Sequence, residues 1–317
     1  MKTVKYTLHI RGLTTPPGTI TLEAMEALLV PLRESAERSL RLVTEGASTR
    51  RGQKPQWIKD ASNFVIHGFR KGSTQIDISA PVLGDISATM LDQQNMWLTS
   101  PSETDTALTV LAHAIHDASQ NLADSDYLDR GLLESIRSFQ PYFKQKKITM
   151  QISSGTLVED VFELNEKLMG SVKKMITSTP LERAVVISGK FDSIEHSDRK
   201  FKLTFDQGGM IQGIASADSV DTELMRRFWG KKVTIKGTLH YKPSGKERLV
   251  EADTIEPYAA GDGVFQTVRT HQEPMAIINR AVALADVDDM GANFFGKWPG
   301  DESIDDLMKV LLDGKGM

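Results

Sequence analysis

The chain opens on an alternation: Val4, Tyr6, Leu8 and Ile10 are apolar, and Thr3, Lys5, Thr7 and His9 between them are polar. A period of two is that of a strand with one buried face, so a strand begins the fold. The turn-rich stretch RGLTTPPGT follows, and the period changes to that of a helix. Thr21 is placed to cap it; Leu22, Met25, Leu28, Leu29, Leu32, Ala36, Leu40 and Val43 share one face, and Pro31 is placed to kink it. The segments NFVIHGF and STQIDISAP around RKG predict a hairpin. Helical spacing returns over 104–122 and 129–139, with Ser102 or Thr104 and Ser125 or Asp126 as candidate caps. A strand at 147–152 and a helix over about 158–176 lead out of this region.

From residue 184 the pattern changes to short strands. AVVISGKFDSIEH is a long one with Gly189 where it must bend. KFKLTFD and MIQGIAS follow across QGG, then the short helix DTELMRRFW, then KKVTIKGTLHY and KERLVEADTIEPY around KPSG. The order β-β-β-α-β-β resembles the OB-type barrel, with an SH3-like or split barrel as the alternative of similar strand content. The expected fold is α+β and multidomain. It comprises an α+β domain at 1–145, a connecting strand and helix at 146–183, a five-stranded OB-like barrel at 184–258, and a linker with a partner-binding tail at 259–317. Within that last part, 264–268 reads as an isolated strand and 276–284 as a short helix.

Composition narrows the chemistry. A chain of 317 residues with 40% hydrophobic and 25% charged residues has enough apolar material for a sizeable core. It has no cysteine, which excludes disulfides, a thiolate nucleophile and cysteine-ligated metal. The formal net charge of −4 gives no global attraction to nucleic acid, so such a role must be argued locally. MKTVKYTLHIRG carries charges where a signal peptide would be apolar, and no apolar run reaches the roughly 20 residues of a membrane span. The expected location is the cytoplasm, with no membrane partner.

In an OB-type barrel, ligands take the face of strands two and three and the loops joining strands one to two and four to five. There the chain offers Arg199, Lys200, Lys202, Lys242 and Lys246, the candidate nucleic-acid-binding residues, with His196, Phe201, Phe205 and Tyr241 among them. Phe201 and Phe205 share the parity of Leu203, so they point into the barrel core and leave a basic rim without a stacking platform. His113 and His116 with Asp117 sketch a metal site, but no second cluster completes a ligand set. The neighbouring carboxylates Glu159–Asp160, Asp288–Asp289 and Asp305–Asp306 read as solvated surface. G-x-S-x-G, Walker and Rossmann signatures are absent, so no residue is assigned a catalytic role and no cofactor is expected. The turn RKGST reads as a hairpin turn that needs Gly72, and Arg50, Arg51 and Lys54 beside Trp57 as a solvated basic loop.

The end of the chain carries a sharper signal. Phe294, Phe295 and Trp298 precede a Pro-Gly break; an acidic-led helix follows with Ile304, Leu307, Met308, Leu311 and Leu312 on one face. A helix of about ten residues is too short to stand alone in water, so it must pack on something. The segment FFGKWPGDESIDDLMKVLLD resembles the neutralising tails of bacterial antitoxins that partner PIN-domain ribonucleases. The resemblance implies a non-enzymatic, antitoxin-like or defence-associated protein whose tail lies across the toxin's acidic, metal-binding groove. In that reading Trp298 is the aromatic anchor, with Phe294 and Phe295 beside it as partner-binding residues, Leu307 and Leu311 supply helix contacts, and Lys297 or Lys309 is the cation that meets the toxin's carboxylates. The alternative is a nucleic-acid-binding protein that uses the basic rim of the barrel.

Overall fold

The computed structural model describes residues 1–16, 18–70, 74–91, 101–146, 148–154, 162–195, 199–216, 220 and 222–265. Five strands, β1 (Thr3–Arg11), β2 (Val65–Arg70), β3 (Thr74–Pro81), β4 (Thr149–Ser154) and β5 (Phe162–Leu164), form an antiparallel sheet in the order β2-β3-β1-β4-β5. The alternation at the N-terminus therefore marks the central strand. Its apolar set, Tyr6, Leu8 and Ile10, is buried with Ile76, Ile78, Met150, Ile152, Phe162 and Leu164, whereas Lys5, Thr7 and His9 stay wholly or partly exposed.

Helices α1 (Leu22–Glu45), α2 (Gln56–Ala61), α3 (Leu83–Leu91), α4 (Ala107–Ser119), α5 (Arg130–Arg137), α6 (Gln140–Lys146) and α7 (Glu166–Ser178) complete this part. The helices α1, α4, α5 and α7 pack on one another, and α4 also touches the sheet at β3 and β5. Thr21 caps α1 by accepting from Ala24 N at 3.2 Å, as its position predicts. Such a cap is worth about 1 kcal/mol. Pro31 lies inside the helix, which continues to Gly46; there a φ of 83° lets the backbone turn and donate to Leu42 O at 2.9 Å.

The expected caps of the next helices move by a few residues. Thr106 rather than Ser102 or Thr104 caps α4, and its hydroxyl lies 2.8 Å from Tyr6 Oη, tying the helix to the central strand. Asp129 rather than Ser125 or Asp126 caps α5 and also accepts from Ser48 N and Oγ at 2.8 and 2.7 Å. The stretch 146–183, expected as a connection, is part of the first core: it supplies β4, β5 and α7, and Ile148, Met150, Leu164, Val172 and Ile176 are buried with the sheet and helices. The helix expected over 158–176 begins only at Glu166, because Asn165 caps it and the residues before it pair with β4 as β5.

The second core is a closed barrel of β6 (Arg183–Glu195), β7 (Lys200–Thr204), β8 (Met210–Ala215), β9 (Lys232–Tyr241) and β10 (Glu247–Pro257), with α8 (Thr222–Phe228) between β8 and β9. Around the barrel the order is β10-β8-β7-β6-β9, closed by β9 against β10; β8 and β10 are parallel and every other pair is antiparallel. This connectivity is compatible with an OB-like barrel. Phe201 and Leu203 are buried, Phe205 packs on the same core, and Phe191 stacks on Phe201 with centroids 4.8 Å apart. The parity argument thus holds. A Cβ at Gly213 would lie 2.1 Å from Phe201 Cζ, so the ring fills the space a side chain there would need. The isolated strand expected from residue 264 is instead a short 3-10 turn at Asp262–Phe265, as far as the described residues go.

Candidate functional site at the barrel face

Strand β10 shifts register twice, between Glu247 and Leu249 and between Ala252 and Thr254. A bulged residue is freed from the inward and outward alternation and its side chain is re-aimed. Here the freed residues are Arg248 and Asp253, and both contact the α+β domain. Arg248, 6% exposed, donates from Nε to Gly46 O at 2.8 Å, from Nη2 to Asp126 O at 2.7 Å and from Nη1 to Leu128 O at 3.5 Å. Its guanidinium is therefore caught between the left-handed cap of α1 and the connection from α4 to α5. Burial lowers its pKa, while Asp129 and Asp126 oppose that by favouring the charge.

Two lysines of the turn from β9 to β10 reach the same connection. Lys242 pairs with Asp126 at 2.8 Å and donates to Asp124 O at 3.1 Å, and Lys246 pairs with Asp124. Between them Ser244 N donates to Ala123 O at 2.9 Å. Asp124 is held below its ordinary pKa, chiefly by the hydrogen bond from Lys246.

The basic loop after α1 closes the other side. Arg50 donates to Ala215 O at 3.3 Å, and Arg51 pairs with Asp253 at 3.2 Å while approaching Thr238 Oγ1 at 3.4 Å. Lys54 pairs with the buried Glu37 at 2.6 Å. Arg50 and Arg51 of this largely exposed loop thus reach the barrel while Lys54 stays with the first core, and the loop continues into α2, which the sequence pattern did not disclose.

Deeper in this contact, His240 is 3% exposed. Its Nδ1 lies 3.0 Å from Glu182 Oε1, which also accepts from Thr49 Oγ1 at 2.8 Å. Its Nε2 faces Glu251 Oε2 at 3.4 Å without forming a hydrogen bond to it, an approach of charges. Burial alone would drive the imidazolium to lose its proton; the two carboxylates outweigh burial and raise the pKa to about 9. Glu182 is correspondingly lowered, first by its hydrogen bond to His240.

These contacts decide where the barrel presents a free face. Lys200 on β7 is 6% exposed, and only ≈ 20 Å³ of space remains among Glu45, Gly46, Lys200, Gln212, Ile214 and Leu249. A small-molecule pocket needs about 300 Å³ or more. Lys202, opposite Gln212 on β8, is half-buried, and Met210 lower on that face is exposed. Arg199 braces the turn after β8 by donating to Val220 O at 3.1 Å and Ser216 O at 3.4 Å. The five expected cations do not line one continuous rim. Lys242 and Lys246 converge with Arg248, a residue the local pattern did not single out, while Lys200 and Lys202 lie on β7 and Arg199 in the turn before it.

The two histidines of α4 part company. His113 stacks on Tyr127 with centroids 5.1 Å apart, whereas His116 lines a cleft of ≈ 340 Å³ with Glu163, Asn165 and Lys167. Asp117 accepts from Ser125 Oγ. Among the described residues no three or more His, Asp or Glu side chains gather as metal ligands would. Among those residues, too, no helix is long and apolar enough to cross a membrane. The expected partner-binding residues Phe294, Phe295, Lys297, Trp298, Leu307, Lys309 and Leu311 lie outside the described residues, as does His196. Comparison with protein-family models, curated proteins and solved structures gives no match to this chain.

Proposed function

We propose that the chain is a non-enzymatic, antitoxin-like protein that binds and restrains a PIN-domain ribonuclease through residues 294–312. Its α+β domain and OB-type barrel serve as the scaffold that carries this segment. The observation that supports the scaffold reading is the docking of the barrel. Part of the face on which such a barrel takes ligands is packed against the α1 terminus, and its β9–β10 turn is engaged by the α4–α5 connection. Recognition then falls to the segment beyond the body. Phe294, Phe295 and Trp298 supply aromatic anchors, Leu307 and Leu311 an apolar helix face, and Lys297 and Lys309 the charges for an acidic metal-binding groove.

Affinity recovery of the full chain from its own host, followed by an RNA-cleavage assay, tests this. The full chain is expected to retain a small metal-dependent ribonuclease and suppress its activity; a chain ending at Ala292 does neither. Neutralisation by the shortened chain overturns the assignment.

A further inference from the structure

The cleft of ≈ 340 Å³ that His116 lines lies where the last turn of α4, the edge strand β5 and the first half of α7 meet. Its volume is at the lower end of the range of small-molecule sites, so it suits one small molecule rather than a chain. Ile115, Phe162 and Leu168 line it and belong to the buried core of the α+β domain, which gives the cleft an apolar floor. Around that floor stand one carboxylate, Glu163, and one ammonium, Lys167, both exposed. Asn165, the cap of α7, donates from Nδ2 to Glu163 Oε1 at 3.2 Å and so holds the carboxylate at the cleft. Among the described residues the Lys167 ammonium has no partner, so the two charges are not spent on each other. His116 and Gln120 from α4 and Ser171 from α7 add further hydrogen-bonding groups. One carboxylate, one ammonium and an apolar floor in a single cleft are the complement of an α-amino acid as a zwitterion: its ammonium meets Glu163, its carboxylate meets Lys167, and its side chain lies on the floor. Each exposed charge contact is weak alone, and burial of the ligand's side chain adds to the two.

We propose that the cleft between α4, β5 and α7 is a binding site for a free α-amino acid with an apolar side chain. The inference concerns the α+β domain alone and stands independently of the tail.

Isothermal titration calorimetry and the Tm of the full chain, with L-leucine and L-phenylalanine as probes, test it. Saturable binding and a rise in Tm are expected. N-acetyl-L-leucine lacks the ammonium and L-leucinamide lacks the carboxylate, so each should bind about tenfold more weakly than leucine. Glu163→Gln and Lys167→Met change exposed side chains outside the core, and each should weaken leucine binding about tenfold. Crossing the two series reads the pairing directly. Glu163→Gln should no longer distinguish leucine from its N-acetyl derivative, and Lys167→Met should no longer distinguish leucine from its amide, while each variant still discriminates at the other end. The proposal is overturned if neither amino acid binds saturably, if either derivative binds the unsubstituted chain as tightly as leucine does, or if either variant binds leucine like the unsubstituted chain.

Discussion

Arg248→Met separates the two cores with the least disturbance to either. Methionine keeps most of the aliphatic stem, so the change removes the guanidinium and leaves the carbonyls of Gly46, Asp126 and Leu128 without their donor. Each buried acceptor left unsatisfied costs about 1–3 kcal/mol, and breaking a buried charged contact typically totals about 3–5 kcal/mol. For chains of this size each kcal/mol lowers Tm by about 2–4 °C, so a fall of about 6–20 °C is expected. Calorimetry and urea denaturation followed by tryptophan fluorescence measure it. The loss acts on the contact between two cores rather than within either, so the unfolding of the variant should split into two transitions. Arg248→Lys, which reaches fewer acceptors, should fall between. If Arg248→Met loses less than about 1 kcal/mol and still unfolds in one unshifted transition, the guanidinium does not hold the domains together.

Stability should also depend on pH through His240. Its pKa is higher in the folded chain, about 9 against 6.5, so its contribution of up to about 3 kcal/mol is complete below pH 6.5 and disappears as pH rises through 9. Glu182 acts oppositely: its lowered pKa makes its contribution present above pH 4.5 and lost on acidification through its folded value. His240→Gln should therefore flatten the Tm profile between pH 6.5 and 9, and an unchanged slope there contradicts the charge pairing. Within the barrel, a Cβ at Gly237 would meet the backbone oxygen of Glu251 at 2.1 Å, whereas at Gly213 it meets the Phe201 ring, a side chain that has to shift within the core but leaves the backbone in place. Gly237→Ala is thus expected to destabilise by 3 kcal/mol or more and Gly213→Ala by about 1–3, an order that urea midpoints will confirm or reverse.

The elements with strict periods were legible from the chain. The five barrel strands and the helix among them stand where alternation and turn residues place them, and Thr21 is the cap its position announces. Short edge elements were harder. Phe162 and Leu164 stand two apart, the spacing of one strand face, but so short a run beside the helical pattern of 166–176 is easily absorbed into it, and only pairing with Met150 and Ile152 makes them β5. The contacts between domains were the least visible. Arg248 and Asp253 are conspicuous only because bulges re-aim them, and Lys242 finds Asp126 more than a hundred residues away. Nothing local in KPSGK distinguishes a lysine that meets solvent from one that meets a carboxylate of another core. The charge pairs Lys242–Asp126 and Lys246–Asp124 become readable only when both sequences are folded.

The placement of β1 also bears on the time course of synthesis. Of the described strands β1 is synthesised first, yet it is the central strand of the sheet, and its two neighbours, β3 and β4, end at Pro81 and Ser154. It must wait, half-made, while an α-helical stretch is threaded between its partners. The barrel is completed about 100 residues after β4, which at ordinary elongation speeds is a lag of roughly 5–20 s. During that lag Gly46 O and the oxygens of residues 124–128 face water with no arginine to receive. Among the described strands the one bearing Arg248 is the last to emerge, so the nascent chain passes through a stage in which the first core is shaped and its fastening has not yet been synthesised.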